Sequence, residues 1–204
     1  VFALVSPSIW KVTALDADGL PLGQGSAVVV APHTLVTNCH VLAKAKRVLV
    51  KREGASIDVR LSAWDVQRDL CELSADAVTA PAVALGETAR LAIGQPAYAI
   101  GHPRGLDLTM SEGLVSSFRR NEQGQLLLVQ TSAAISGGSS GGGLFDVDGA
   151  LVGLTTLGSM TAAAQNLNFA IPGETARALV DAAPANAPLV PLTTQVTSPV
   201  KRNL

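Results

Sequence analysis

Residues 136–144 read Ser-Gly-Gly-Ser-Ser-Gly-Gly-Gly-Leu, and this stretch is the most unusual in the chain. It lies between two segments, residues 126–131 and 150–156, that both have the composition of buried strands. A flexible linker at that place would cost stability, whereas glycines let backbone N–H groups approach a ligand closely. An oxyanion hole, which binds the negative oxygen formed during acyl transfer, needs such N–H groups. The stretch therefore predicts a nucleophile loop.

The serine in this loop also matches the α/β-hydrolase elbow, because residues 138–142 read Gly-Ser-Ser-Gly-Gly and so fit Gly-x-Ser-x-Gly. That fold places its histidine after the serine. Here all three histidines, His33, His40 and His102, precede Ser140. The order histidine, aspartate, serine is instead that of the chymotrypsin-like arrangement, which this chain can supply. Ser140 is therefore the predicted nucleophile.

A serine nucleophile needs a base, and the base needs an orienting acceptor. His33 follows a proline and His102 precedes one, which predicts that both lie in turns. His40 ends a strand-like segment and is the predicted base. Among the aspartates between the base and the nucleophile, Asp69 precedes an apolar pair, where a buried carboxylate would need a hydrogen-bonding partner. Asp69 is the predicted orienter, and Asp65, before a polar turn, is the weaker rival.

Composition points to a β-rich protein. The chain has 204 residues with 19 glycines, 11 prolines and a formal charge of −1. Short β-rich segments punctuated by turn residues predict barrels or sandwiches. The chain shows neither a basic stripe nor a run of about 18 apolar residues, so nucleic-acid binding and membrane insertion are not expected. The three histidines are too dispersed to form a zinc motif.

The predicted strands are residues 27–31, 34–37, 47–51, 58–61, 70–73, 97–100, 113–118, 126–131, 150–156 and 168–171. A short helix is predicted over residues 40–46, and a longer one over residues 174–183 from its apolar spacing. Pro184 should stop that helix. Residues 184–204 are predicted to form an extended tail or linker.

Six ordered motifs resemble the trypsin-like fold, and specifically its HtrA (Deg) branch. They are residues 25–28, 35–41, 68–73, 99–107, 130–135 together with 138–144, and 168–172. The resemblance implies an all-β fold of two six-stranded antiparallel β-barrels, chymotrypsin-like, with a short C-terminal helix. It implies a protease domain over residues 1–183, with barrels over about 8–85 and 90–172 and a helix over about 174–183.

The same resemblance implies a serine endopeptidase with His40, Asp69 and Ser140 as its catalytic triad. The backbone N–H groups of Gly138 and Ser140 would form the oxyanion hole. Polypeptide substrates are implied, no metal or cofactor is needed, and a homo-oligomer is left open. A periplasmic or secreted location is expected from the resemblance and from the cysteine pair, Cys39 and Cys71, for which a disulfide and two free thiols both stay open.

By the resemblance, Ala134 lies at the base of the primary specificity pocket. Its walls are predicted to be formed by Ile135, Leu157 and Asn168. The edge strand that pairs with the substrate backbone is predicted over residues 156–158 (Thr156, Leu157, Gly158). An uncharged, partly aliphatic pocket implies a preference for small or medium apolar side chains before the cleaved bond.

Two departures from the family pattern keep other functions open. Ser139 stands where Asn or Asp is usual, and Gly143 where Pro is usual. A misformed oxyanion loop would leave a catalytically inactive module that binds peptides or proteins. A purely structural β-domain with a glycine-rich loop is the third interpretation.

Overall fold

The structure is a computed structural model that describes residues 1–156 and 167–182. Within these residues, twelve strands form two closed six-stranded barrels in which all paired strands are antiparallel. A short helix follows the last strand. The predicted all-β fold of two six-stranded barrels with a C-terminal helix is therefore confirmed.

The first barrel has the strand order β1-β2-β3-β6-β5-β4. Its strands are β1 (Ile9–Leu15), β2 (Pro21–Ala31), β3 (Thr34–Thr37), β4 (Arg47–Arg52), β5 (Ala55–Asp65) and β6 (Leu70–Ser74). A short helix, α1 (Phe2–Val5), precedes it.

The second barrel has the order β10-β11-β12-β9-β8-β7. Its strands are β7 (Pro96–Gly101), β8 (Thr109–Arg120), β9 (Leu126–Thr131), β10 (Gly143–Phe145), β11 (Leu151–Thr156) and β12 (Asn168–Pro172). The helix α2 (Gly173–Ala182) then packs against β11 and β12 and also reaches β5 and β6 of the first barrel.

Two strands were not predicted. Strand β1 is buried at six of its seven positions, so it lacks the alternation of apolar and polar residues by which a half-buried strand is recognised. Strand β10 has only three residues and directly follows the glycine-rich loop. The helix predicted over residues 40–46 is a single 3₁₀ turn, Cys39–Leu42, because Ala43 already has an extended ψ of 129°. Residue 183, the predicted end of α2, lies outside the described residues.

The space between the barrels is filled by an inter-barrel cluster of buried apolar side chains. Because both barrels contribute to it, neither one can bury these surfaces alone. The cluster comprises Val5, Ile9, Val28, Val30, Val36, Leu70, Val83, Ile100, Leu128, Phe145, Leu151, Leu154, Phe169, Ile171 and Ala176.

The connection between the barrels is itself hydrogen-bonded to both. Val83 N–H donates to Val29 O in the first barrel at 2.9 Å, and Leu151 N–H of the second donates to Ala84 O at 2.8 Å. The Thr88 hydroxyl donates to Glu174 Oε1 of α2 at 2.8 Å. The connection thus fixes how the two barrels meet.

Of the helices in the described part of the chain, none has the length and apolar character needed to cross a membrane.

One carboxylate, Glu72, is buried on β6. The Ser62 hydroxyl donates to Glu72 Oε1 at 2.6 Å, whereas Oε2 has no hydrogen-bond partner among the described residues. Burial raises the pKa of Glu72, and the Ser62 hydrogen bond opposes that rise only in part. The folded protein therefore favours the protonated form of Glu72 more than the unfolded chain does.

Glu72→Gln should raise the free energy of unfolding at pH 7 relative to the wild type, and the gain should disappear near pH 4. The folded pKa of Glu72 lies above its unfolded value of about 4.3, so its contribution to stability is complete below that value. That contribution is lost as the pH rises through the folded pKa. Urea unfolding at both pH values measures the effect, with Glu112→Gln on exposed β8 as the control for removing one charge. A gain of equal size at both pH values would contradict the assignment.

Candidate active site

The segments that carry the three predicted triad residues lie together where the two barrels face each other. His40 lies in the 3₁₀ turn after β3, Asp69 directly precedes β6, and Ser140 belongs to the loop before β10. Gly25 of β2 joins two of these segments, because a Cβ built on it would contact both the Val41 side chain and the Ser140 carbonyl oxygen. The residue after His40 and the carbonyl of Ser140 therefore lie against the same strand position.

Asp69 holds His40 by two hydrogen bonds. The backbone N–H of His40 donates to Asp69 Oδ1 at 2.9 Å, and the ring nitrogen Nδ1 lies 2.7 Å from Oδ2. An ionised carboxylate only accepts, so Nδ1 carries the hydrogen and Nε2 carries the lone pair. The Asp69 side chain is 9% exposed and the His40 side chain 28% exposed. The buried Asp69 carboxylate thus orients the imidazole ring, and part of that ring remains exposed to solvent.

The backbone at Asp69 is left-handed, with φ 59°, in a turn closed by its own N–H bonding to Val66 O at 3.2 Å. Aspartate tolerates this region better than most residues. The turn aims the Asp69 carbonyl at the Asn38 side-chain amide, 3.0 Å away, and at Cys39 N–H, 3.3 Å away. Both the side chain and the backbone of Asp69 are therefore bonded to the segment that carries the histidine.

The rival carboxylate, Asp65, lies elsewhere. Its Oδ2 pairs with Arg68 Nη1 at 2.7 Å on the exposed side of the turn. The other two histidines are not bonded to a carboxylate in the described part of the chain. His33 bonds Val78 O at 3.0 Å, and His102 lies behind the nucleophile loop. Of the three histidines, His40 alone has the partner that a general base requires.

The second barrel also contacts this pair. The hydroxyl of Thr156, at the end of β11, donates to Asp69 Oδ2 at 3.3 Å. Asp69 thus receives hydrogen bonds from the first barrel and from the second.

Cys39 and Cys71 form a disulfide in the structure, and both are buried. Cys39 directly precedes His40, and Cys71 lies two residues after Asp69. The bond joins the His40 turn to β6 covalently, so it limits how far these two elements can separate.

Ser140 is buried in a loop that both barrels hold. Its carbonyl oxygen accepts from Ser26 N–H of β2 at 2.8 Å. On the other side, Gly141 N–H donates to Thr155 O at 2.9 Å, and Thr155 N–H donates to Gly142 O at 2.8 Å. Gly141 has φ +84°, and a Cβ there would overlap the Ser26 carbonyl. Only glycine fits this combination of backbone and close approach.

The predicted oxyanion residue, Gly138, sits in a tight turn with φ +89°. Ser139 N–H donates to Ser136 O at 2.9 Å, and Arg104 N–H donates to Gly137 O at 2.5 Å. The C=O and N–H of a trans peptide point in opposite directions. Since the Gly137 carbonyl points at Arg104, the Gly138 N–H points away from that loop. The bond from Arg104 thus fixes the orientation of the Gly138 N–H.

Ala134 and Ile135, predicted for the specificity pocket, line a cavity of about 250 Å³ together with Ser136, Ser139 and Thr155. Thr156 and Asn168 are not among the residues that line it. Asn168 pairs with Thr131 across β12 and β9, and Thr156 contacts Asp69. The predicted residues Leu157 and Gly158 lie outside the described residues.

Sequence reasoning assigned no role to several residues that hold the nucleophile loop. Ser26 and Thr155 bond the loop from opposite barrels, the latter also through its hydroxyl to Ser139 O at 2.6 Å. Lys11 Nζ donates to Gly105 O at 2.6 Å and so anchors the 3₁₀ turn Pro103–Gly105. Ser26 and residues 103–105 lie within the motifs at residues 25–28 and 99–107, but neither motif predicts which residues they contact.

His102 is buried beside this loop. Burial, together with the nearby charge of Lys11, lowers the pKa of His102 to about 4, while Asp107 acts in the opposite direction. His102 is therefore uncharged near neutral pH and adds no positive charge beside Gly138.

In residues 1–156 and 167–182, no group of three or more His, Cys, Asp or Glu side chains is arranged to hold a metal ion.

Two closed antiparallel barrels with a polar site between them define the chymotrypsin-like class of folds. The family model of the trypsin-like peptidase domain matches residues 25–154, well over half of the chain. The chain belongs to the trypsin-like peptidase family, and the predicted resemblance is confirmed.

Its relatives are of the HtrA and Deg type. The chain is 35% identical over 163 residues to the putative serine protease HhoB of Synechocystis, covering 76% of this chain and 39% of the relative. It is 33% identical over 151 residues to a probable periplasmic serine endoprotease, DegP-like, of Halomonas elongata. This match covers 72% of this chain and 32% of the relative. The solved structure of the HtrA-type protease AlgW with tripeptide superposes with a TM-score of 0.78 at 32% identity, covering 88% of this chain and 61% of that one. The chain therefore spans about two fifths or less of the length of these two curated relatives.

Replacing both Cys39 and Cys71 by alanine should lower the free energy of unfolding by about 3 to 4 kcal/mol, since a cross-link of this span restricts the unfolded chain. Urea unfolding of the double variant beside the wild type measures the loss. Thiol titration of the denatured, unreduced wild type is the control and should find no free thiol. Two free thiols, or equal stability of the two proteins, would contradict the pairing.

Proposed function

We propose that residues 1–183 form a serine endopeptidase that hydrolyses peptide bonds through His40, Asp69 and Ser140. The observation that carries the proposal is the pair of hydrogen bonds that His40 donates to Asp69, next to a serine loop held from both barrels. A buried carboxylate, an oriented imidazole and a serine in a glycine-rich turn are the three parts that acyl transfer needs.

In the proposed reaction, Ser140 Oγ attacks the carbonyl carbon of the substrate peptide bond, and His40 Nε2 takes the hydroxyl proton. The tetrahedral intermediate then expels the amine, which receives that proton from His40. Water, deprotonated by His40 in turn, attacks the resulting ester, and His40 then delivers that proton to Ser140 Oγ as the acid is released. Asp69 keeps Nδ1 protonated and stabilises the imidazolium that forms twice in each cycle.

The negative oxygen of each intermediate would be stabilised by the backbone N–H groups of Gly138 and Ser140. The bond from Arg104 to the Gly137 carbonyl supports this assignment because it turns the Gly138 N–H away from the supporting loop. Such donors stabilise the transition state most when they are fixed before the reaction begins.

The alternative of an inactive binding module rested on Ser139 and Gly143. Against it, the loop around Ser139 is bonded at the carbonyls of Gly137, Gly138 and Ser139 by donors from three other segments. No charge at Ser139 is needed to hold it. The active enzyme is therefore the better supported function.

Specificity for small or medium apolar side chains is proposed from the pocket residues. Ala134 and Ile135 carry no charge, and the cavity they line is small. Polypeptide chains are the proposed substrates, and a homo-oligomer stays a proposal. A periplasmic or secreted location is supported by the disulfide, a bond that persists in oxidising compartments. It is also supported by the similarity to the Halomonas relative, a probable periplasmic serine endoprotease.

Incubation with a fluorophosphonate probe should give one adduct, on Ser140, read by intact mass and peptide mapping. Ser140→Ala and His40→Ala should both lose the adduct, and turnover of a peptide substrate should fall by about a millionfold. Ser56→Ala, at an exposed serine of β5, is the control and should label like the wild type. A folded wild type without an adduct and without turnover would favour the binding module.

Cleavage of a peptide library should be dominated by Ala, Val or Leu before the scissile bond. Ala134→Asp should shift the preference toward Lys and Arg, because a carboxylate at the base of the pocket attracts a basic side chain. Mass-spectrometric profiling of both proteins measures the change. A wild-type profile dominated by basic residues would overturn the proposed preference, and an unchanged profile in Ala134→Asp would show that this residue does not form the base.

A further inference from the structure

Ser26 of β2 is completely buried, and its hydroxyl connects two segments of the second barrel. Ser26 Oγ lies 2.9 Å from His102 N and 2.9 Å from the carbonyl oxygen of Gly138. Its backbone N–H donates to Ser140 O at 2.8 Å, and its carbonyl accepts from the Thr37 hydroxyl at 2.7 Å. This one residue therefore contacts both predicted oxyanion residues and the strand that leads to His40.

The chemistry of the partners fixes the direction of the two hydroxyl bonds. A backbone N–H only donates, so Ser26 Oγ must accept from His102. A carbonyl oxygen only accepts, so the single hydroxyl proton goes to Gly138. Neither partner allows the reverse arrangement, so the direction of both hydrogen bonds is determined.

The bond to Gly138 completes the support of the turn that orients the oxyanion donor. The peptide between Gly138 and Ser139 is held at its N–H by Ser136 O and at its C=O by Ser26 Oγ. The preceding peptide is held at its C=O by Arg104 N–H. Ser26 is the contact through which the first barrel fixes Gly138 directly.

We propose that Ser26 is a positioning residue for the oxyanion hole, acting through the Gly138 carbonyl. This inference rests on the proposed function and deepens it, since it names the side chain that fixes the orientation of the Gly138 N–H. Without the hydroxyl, the Gly138 carbonyl and the His102 N–H lose the partner that the completely buried Ser26 gives them. The turn then relaxes, and the Gly138 N–H loses its alignment.

The test compares Ser26→Ala with Ser8→Ala in the wild-type chain. Ser8 is the matched control, because it is 1% exposed and its hydroxyl donates to the Pro81 carbonyl at 2.6 Å, in the connection between the barrels. Ser26→Ala should lower kcat by about 10- to 100-fold with KM little changed, as expected when a group aligned for the transition state is displaced. Binding of a peptide aldehyde, whose adduct with Ser140 carries the oxyanion, should weaken by a similar factor. Ser8→Ala should lose stability but keep the wild-type kcat and aldehyde affinity.

Ser26→Cys serves if the alanine variant does not fold. Its thiol fills nearly the same space but hydrogen-bonds weakly, so kcat should lie between those of the wild type and Ser26→Ala. Wild-type kcat and aldehyde affinity in either Ser26 variant would overturn the positioning role while leaving the proposed function intact. A wild type that turns over no peptide and takes no fluorophosphonate would instead remove the proposed function, and the role of Ser26 with it.

Discussion

The Asp69 carboxylate has to be buried with its charge fully hydrogen-bonded, and the arrangement of the site follows from that constraint. An ionised carboxylate shielded from water is strongly unfavourable unless donors surround it. Its donors are the backbone N–H and the ring of His40, together with the hydroxyl of Thr156. Because Thr156 belongs to the second barrel, docking of the two barrels adds a donor to this carboxylate.

The nucleophile loop is governed by backbone contacts more than by side-chain charge. Gly138 and Gly141 both have positive φ, and a Cβ at either would overlap backbone atoms of neighbouring segments. The loop is held by Arg104 N–H and by the hydroxyls of Ser26 and Thr155. An uncharged residue at position 139 is compatible with this support, because none of these bonds requires an acid there.

Much of the fold was predictable from local pattern, and the bounds of β3 and β9 match their predicted segments. Strand β1 was not predicted because it is buried on both faces and so lacks alternating apolar and polar residues. Strand β10 was not predicted because three residues are too few to show such an alternation. The order of His40, Asp69 and Ser140 along the chain favoured the chymotrypsin-like arrangement over the α/β-hydrolase one before any contact was known. The role proposed for Ser26 had no such signal, since it depends on His102 and Gly138, which lie 76 and 112 residues away along the chain.

The inter-barrel cluster has a consequence for how this protein loses function. The bonds from Ser26 to Gly138 and from Thr156 to Asp69 both cross between the barrels, and both depend on separations near 3 Å. A widening of about 1 Å would break them together while leaving each barrel's own strand ladder closed. Hydration of this junction would therefore abolish the proposed catalysis in a molecule that still has all its strands. The apolar side chains between the barrels would then protect the geometry of the site as well as the fold.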